Sequence, residues 1–329
     1  MLRTVVARSD AFPLAQPFRI SRGVKTVADV VTVEIMAGGA TGRGEAVPYL
    51  RYGETIAGAL DEIANARGAI ADGATRDELL TIMPAGAARN AVDCALWDLE
   101  TRLTGRSVTE RLGRPEIAPT PTAMTVSLDT LDAMAAAARA LAGVPLIKIK
   151  VDRTDPAAQI RVVRDAAPNP RIIVDPNESW TIAEVEGLQP LLAELRIDLL
   201  EQPLPAGEDD ALDGFGSLVP IAADESAHVA DDVGALASKY QVINIKLDKT
   251  GGLTGALALA DAAAAAGLGV MTGSMISSSL SIAPALVVAA RSSFVDLDGP
   301  LWLAADRAGG VKGVDGVLTP PDAGFWGTI

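Results

Sequence analysis

The sequence predicts a parallel α/β barrel preceded by a smaller α+β domain. Three observations carry that reading. From residue 122 onward, short apolar strands alternate with Ala-rich helical stretches. Lys150, Asp175, Glu201, Asp224, Lys246, Thr272 and Asp296 follow one another at intervals of 25, 26, 23, 22, 26 and 24 residues. That interval accommodates one strand, one helix and two loops, and eight such strands close a barrel more readily than they fill an open sheet. Nearly every one of these strands also closes on a charged or polar residue.

The first ~45 residues read as strands, because 3–6 and 30–35 are rich in β-branched residues and Gly38-Gly39-Ala40 signals a turn. Helical spacing then takes over at 54–70 and 87–103, with Cys94 and Trp97 on the apolar side and therefore expected in the core. The proline cluster at 115–121 ends this unit, which gives a capping domain over 1–115 and a barrel over 116–303. The Gly- and Pro-rich tail, 304–329, is expected to return to the first domain and complete it. Barrel strands are expected at 123–126, 146–151, 171–174, 198–200, 221–223, 242–245, 269–271 and 294–297. Helices are expected at 131–142, 156–167, 182–195 and 254–266, the third opening on a capping box of Thr181 and Glu184.

Composition narrows the chemistry. Apolar residues make up 49% of 329, enough for a large core, and aromatic residues only 4%, so that core is mainly aliphatic. Lys and Arg total 28 against 42 Asp and Glu, a net charge of −14, which disfavours nucleic acid and anionic membranes as partners. A single cysteine excludes an internal disulfide and Cys-rich metal sites, and a single histidine, His228, excludes multi-His sites. Ionic chemistry is left to carboxylates and lysines. A metal would be hard and oxygen-bound, and a general base would be Lys, Asp or Glu. No uninterrupted apolar run of about 18 residues and no signal-peptide core is present, so the expected location is cytoplasmic.

In a parallel barrel the C-terminal strand ends share one face. Asp175, Glu201 and Asp224 end three successive strands, and three carboxylates held together would repel unless a divalent cation joined them. The competing account is three unrelated surface carboxylates. Lys148 and Lys150 share one side of a strand, and Lys246 ends a strand across the barrel mouth. A metal flanked by lysines suits removal and return of a proton at a carbon beside a carboxylate, with the cation stabilising an enediolate. Each lysine is otherwise a solvated cation or a structural ion pair. Asp296 and Asp298, again two apart, would suit an ammonium group, or else form a polar turn before Gly299-Pro300. Gly39, Gly42 and Gly44 are not followed by a helix and read as a hairpin, and Lys249-Thr-Gly-Gly lacks the spacing of a phosphate loop. A structural role is expected for His228.

Together the segments IKIKVD, IIVDPNESW, LLEQPLP, ADES and INIKLDKTGGL identify a resemblance to the enolase superfamily, muconate-lactonizing subgroup, across essentially the whole chain. The resemblance implies a modified (β/α)7β, TIM-like barrel with an N-terminal α+β capping domain. It also implies one Mg2+ on Asp175, Glu201 and Asp224, and an acid/base pair of Lys150 and Lys246 aided by Lys148. Within the subgroup, Asp296-Leu-Asp298-Gly-Pro, Ile20-Ser-Arg22-Gly and Pro48-Tyr-Leu-Arg51-Tyr52-Gly-Glu54 resemble dipeptide epimerases, especially those acting on L-Ala-D/L-Glu. That likeness implies a dipeptide substrate, with Asp296 and Asp298 on its ammonium and Arg22 on an acidic side chain. Tyr52, Thr125, Lys148, Ser274 and Met275 would be further substrate contacts. Pro176 departs from the small residue usual there, and Gly273-Ser-Met275 lies where relatives vary. Cycloisomerisation and o-succinylbenzoate synthesis are the alternatives on the same site, and neither needs an ammonium pocket. A non-catalytic ligand-binding barrel is the alternative from another class. Subunit number stays open.

Overall fold

The computed structural model describes residues 2–20 and 23–329. An antiparallel sheet opens the chain, formed by β1 (Thr4–Ile20), β2 (Gly23–Ala37) and β3 (Ala40–Ala46) in the order β1-β2-β3. The first two strands run much longer than the β-branched runs 3–6 and 30–35 suggested. In the outer half of β1 one face, with Phe12, Leu14, Phe18 and Ile20, is only half-buried and the strand is broken by Pro13 and Pro17, and outer β2 is mostly exposed, so the alternating apolar signal is weak. Gly38 and Gly39 make the turn into β3 with φ of 58° and 80°, a left-handed pair that side chains disfavour. Val31, Val33 and Ile35 face inward and pack on the helix Ala87–Thr104. Gly42 and Gly44 let that helix approach the sheet, since a Cβ at Gly44 would lie 2.1 Å from the Ala91 carbonyl oxygen. The glycine-rich stretch is thus a hairpin pressed against a helix.

A short strand, β4 (Thr120–Pro121), leads into an eight-stranded parallel sheet. Its strands are β5 (Ala123–Val126), β6 (Leu146–Lys150), β7 (Arg171–Asp175), β8 (Leu199–Glu201), β9 (Ile221–Ala223), β10 (Val242–Ile245), β11 (Gly269–Gly273) and β12 (Phe294–Asp296). Side chains bring the two edges together. Leu297 N donates to Thr122 Oγ1 at 2.8 Å, and Thr125 N donates to Asp298 Oδ2 at 3.0 Å. Most crossovers contain an α-helix, but that between β8 and β9 has only the 3-10 turn Asp210–Leu212. The helix Ile182–Glu194 begins with the Thr181/Glu184 capping box. The apolar helix Ser279–Ala289, buried all round, shows no helical periodicity in sequence and was not anticipated.

Strand parity sorts the barrel. Ile147, Ile149, Ile172, Val174, Leu200, Ile221, Ala223, Ile243 and Ile245 point out to the helices. Ala123, Leu146, Ile173, Leu199, Ala222, Val242, Met271 and Phe294, one from each strand, plug the interior. Two residues further along the same inward rows lie Lys148, Asp175, Glu201, Asp224, Asn244, Gly273 and Asp296. The apolar plug thus floors a polar mouth.

Cap and barrel join through buried polar contacts. Asp248 Oδ1 accepts Val47 N at 2.9 Å and Asn90 Nδ2 at 2.8 Å. Arg89 Nη2 donates to the Thr250 carbonyl oxygen at 2.8 Å, and Thr254 N and Oγ1 donate to Asp93 at 3.0 and 2.6 Å. Added Cβ atoms at Gly251 and Gly252 would come within 2.3 Å of Arg89 and 2.4 Å of Asp93. The segment Lys249-Thr-Gly-Gly is therefore a docking platform for the cap helix. A second clamp joins Glu45 of β3 to the barrel loop at Ser278, whose N–H donates at 2.8 Å, and to Arg307 of the tail, whose Nη2 donates at 2.7 Å. The tail also adds β13 (Lys312–Val314) and β14 (Val317–Thr319), the latter paired with β4, and packs Phe325 and Trp326 beside Cys94 and Trp97. Among the described residues, no helix is long and apolar enough to cross a membrane.

Burial lifts the Asp248 carboxyl from 3.8 to about 7. Between those values the folded chain keeps a proton that the unfolded chain releases. Stability should therefore fall as pH rises from about 4 to about 7, by up to ~1.4 kcal/mol per unit. Asparagine retains an acceptor for Val47 and Asn90 without that charge. Urea denaturation across this range should show Asp248→Asn gaining stability on the wild type as pH rises, with the gap level above pH 7.

Candidate active site

The polar mouth holds four buried lysines among buried carboxylates. Lys148 Nζ lies 3.0 Å from Asp175 Oδ2, 2.7 Å from Glu201 Oε2 and 2.8 Å from Asp296 Oδ2. Lys150 Nζ lies 2.5 Å from Asp175 Oδ2, its register partner on the next strand. Lys246 Nζ donates to Asp224 Oδ2 at 2.6 Å, and Lys249 Nζ to Asp224 Oδ1 at 2.7 Å. Among the described residues, no three acidic side chains enclose a single point closely enough to grip an ion, because ammonium groups lie between them.

The charges perturb one another strongly. Burial and then the neighbouring Asp175 push Glu201 up to about 8. Burial alone would raise Asp224, but Lys246 and Lys249 outweigh it and hold its carboxyl well below the usual range. Burial would lower Lys246, but Asp224 outweighs it and raises the ammonium. Burial and then Asp296 lift Asp298 to about 6. The residues fit a hard divalent cation. Asp175, Glu201 and Asp224 are at most 1% exposed, offer only oxygen, and are short of positive charge at Glu201.

A cavity of about 460 Å3 opens above them. Its barrel side carries Thr125, Lys148, Lys150, Asp224, Lys246, Ser274, Met275, Asp296 and Asp298, and its cap side carries Phe18, Ile20, Lys25 and Tyr52. Lys150 on β6 and Lys246 just past β10 stand four strands apart around the eight-stranded sheet, on opposite sides of the cavity. Asp298 is fixed by Thr125 N and by Trp302 Nε1, which donates at 3.1 Å. Asp296 Oδ1 is buried and, among the described residues, has no hydrogen-bond partner. The cap loop carrying Tyr52 is latched to the barrel. Arg51 donates from Nε and Nη2 to Glu178 at 2.7 and 2.6 Å, and the Tyr52 ring meets His228 edge-on at 4.8 Å. His228 thus supports a loop.

Of the residues singled out from sequence, Tyr52, Thr125, Lys148, Lys150, Asp224, Lys246, Ser274, Met275, Asp296 and Asp298 line this cavity. Asp175 and Glu201 lie directly beneath, reached through Lys148. Arg22 lies outside the described residues. Asn244 and Lys249 were missed. Asn244 Nδ2 donates to Glu201 Oε1 at 2.9 Å, and its inward parity two residues before Lys246 was an available signal. No local pattern points Lys249 at Asp224; the turn after β10 does.

Comparison with known proteins identifies the family. The family model for the mandelate racemase / muconate lactonizing enzyme N-terminal domain matches residues 2–113, and the enolase C-terminal domain-like model matches 131–325. The chain is 46% identical over 307 residues to the L-Ala-D/L-Glu epimerase of Escherichia coli (strain K12), covering 93% of this chain and 96% of that protein. It is 43% identical to an N-acetyl-D-glutamate racemase of Pseudoalteromonas sp, covering 87% and 91%. A solved enolase family member from Agrobacterium tumefaciens, with homology to dipeptide epimerases and with bound sodium and L-Ala-L-Glu, superposes with TM-score 0.96 at 48% identity, covering 98% and 99%. The dipeptide epimerase of Methylococcus capsulatus, complexed with Mg and L-Arg-D-Lys, gives TM-score 0.88 at 32% identity, covering 98% of each chain. The chain belongs to the mandelate racemase / muconate lactonizing enzyme family, with its enolase-type barrel.

Proposed function

We propose that this protein is a Mg2+-dependent dipeptide epimerase that inverts the α-carbon of the C-terminal residue, with L-Ala-D/L-Glu as preferred substrate. One observation carries the reading: Lys150 and Lys246 reach one cavity from opposite sides, and that cavity ends in Asp296 and Asp298. Inversion at carbon needs a proton taken from one face and returned to the other, and two opposed ammonium/amine groups supply that pair. Asp175, Glu201 and Asp224 would hold the metal. When bound, Mg2+ stabilises the negative charge that develops on the substrate carboxylate as the α-proton leaves.

The chain's own groups do the rest. In one direction Lys150 Nζ accepts the proton while Lys246 Nζ donates one, and in the other direction they exchange roles. Each is now held by a carboxylate, Lys150 by Asp175 and Lys246 by Asp224, and must turn from it to reach the α-carbon. Lys148, tied to three carboxylates, holds charge at the mouth and orients the substrate carboxylate. The buried, unsatisfied Asp296 Oδ1 suits a substrate ammonium, with Asp298 beside it. Arg22 reads an acidic side chain, Tyr52 closes the cap side, and Thr125, Ser274 and Met275 shape the peptide's bed. A setting in peptidoglycan recycling and in the cytoplasm accords with such a substrate.

Incubation of a dipeptide library in D2O with Mg2+, followed by mass spectrometry, tests this reading. L-Ala-L-Glu should gain one deuteron and yield both epimers. No exchange with any dipeptide would overturn the assignment, whereas exchange only with N-acetylglutamate would redirect it to an N-acylamino acid racemase. Lys150→Ala and Lys246→Ala should each lower epimerisation by about 10²–10⁴. Each should still exchange deuterium into the single epimer that faces the remaining lysine, as NMR of the two pure epimers would reveal. Asp298→Asn should lower kcat/KM for free-amine dipeptides by at least ~10-fold, the scale of one lost charge-assisted contact. A cycloisomerase or o-succinylbenzoate synthase would be indifferent to it.

A further inference from the structure

Each of the three carboxylates has one oxygen tied down by a donor other than the lysines that line the cavity. Asp175 Oδ1 accepts the backbone N–H of Asn177 at 2.8 Å, a contact made by the left-handed turn of Asn177 at φ 48°. Glu201 Oε1 accepts Asn244 Nδ2 at 2.9 Å, alongside Lys148 at the same distance. Asp224 Oδ1 accepts Lys249 Nζ at 2.7 Å. Among the described residues, the second oxygens, Asp175 Oδ2, Glu201 Oε2 and Asp224 Oδ2, meet the cavity lysines and, for Asp175, the Asn177 amide at 3.2 Å.

Lys249 is the strongest of these anchors. Its side chain is wholly buried, and its three N–H bonds go to Asp224 Oδ1, the Asp224 carbonyl oxygen and the Asn244 carbonyl oxygen, the last at 3.0 Å. An ammonium has three donors, so none remains for a substrate or for another partner. Lys249 thereby ties the end of β9 to the end of β10 and prevents the Asp224 carboxylate from turning about its own axis. The docking platform then has a second use. The same segment that seats the cap on Gly251 and Gly252 drives Lys249 beneath Asp224.

We propose that Lys249, with Asn244 and the Asn177 backbone N–H, limits Asp175, Glu201 and Asp224 to one oxygen each and so selects Mg2+ over Ca2+. The inference rests on the metal site proposed above. Mg2+ takes six ligands at ~2.0–2.1 Å in a near-ideal octahedron, whereas Ca2+ takes six to eight and readily accepts both oxygens of a carboxylate. Three single oxygens suit the first ion. Lys249 is a positioning residue here: it acts through Asp224 and touches neither substrate nor reacting atoms.

Calorimetric titration of the full chain with Mg2+ and with Ca2+ tests the proposal through the ratio of the two dissociation constants. Both ions are divalent, so loss of the Lys249 charge shifts the two affinities alike and cancels in the ratio. Lys249→Met should move the ratio toward Ca2+ by at least tenfold, and Asn244→Leu by at least threefold. A merely structural role would lower stability and leave the ratio alone, so a ratio within twofold of the wild type in both variants overturns the proposal. If circular dichroism shows Lys249→Met unfolded, Lys249→Leu, which likewise removes the donor, is held to the tenfold criterion. Failure of all three variants to fold also overturns the proposal, since the anchors would then serve the fold alone. A wild-type protein that binds no Mg2+ refutes the metal site itself, a different result from a bound metal with an unchanged ratio.

Discussion

The rest of the structure depends on enclosing charge where water is scarce. Three carboxylates end consecutive strands of one small barrel, each at most 1% exposed. Left alone they would repel, and each buried ion would cost several kcal/mol in lost hydration. Lys148, Lys150, Lys246 and Lys249 meet that cost by direct contact. The arrangement is stable only as a set, because removing one partner leaves a buried charge uncompensated at about 3–5 kcal/mol. The stored charge is also the site's chemical resource. In the function proposed above, these lysines would yield the carboxylates to a cation and take up proton transfer.

Two features of the fold serve this enclosure. Strand alternation sends aliphatic side chains outward and lays one apolar residue per strand as an interior floor, so every polar group gathers above it. The cap then roofs the mouth. Its helix lies on Gly251 and Gly252, its third strand reaches the Ser278 loop through Glu45, and its Arg51 and Tyr52 fasten to Glu178 and His228. These contacts are polar and geometrically specific, which sets the position of the cap over the cavity more sharply than apolar packing would. Gly299 adds a further link, since its Cβ would lie 2.9 Å from the Met275 carbonyl oxygen. The backbone beside Asp298 therefore packs directly on the loop that carries Met275.

Much of the architecture was legible because it depends on local periodicity. The regular interval between strand ends, the alternation within each strand and the Thr181/Glu184 cap all follow from the order of residues. So did the gathering of Lys148, Lys150, Asp175, Glu201, Asp224, Lys246, Asp296 and Asp298, because in a parallel barrel strand-end identity is position. The outer halves of β1 and β2 were hard to read because their inner face is only half-buried and, in β1, the strand is broken by Pro13 and Pro17, and the helix Ser279–Ala289 because every face is buried. Periodicity reports only a difference between faces.

By itself, the sequence determined the chemical vocabulary: carboxylates and lysines with almost no His or Cys, at the mouth of a parallel barrel. Tertiary structure alone decided which oxygen of each carboxylate faces the cavity lysines and which is held from behind. Asn177, Asn244 and Lys249 reach their carboxylates across turns and between strands, through contacts that depend on backbone angles and on the stagger of neighbouring strands. The same holds for Lys249-Thr-Gly-Gly. As a string it resembled a phosphate loop with the wrong spacing, and only the approach of Arg89 and Asp93 to Gly251 and Gly252 revealed a seat for the cap. The physical reason is common to both. Residue type specifies which bonds are available, but distances of 2.7–3.0 Å between groups far apart in the chain exist only once the chain has closed on itself.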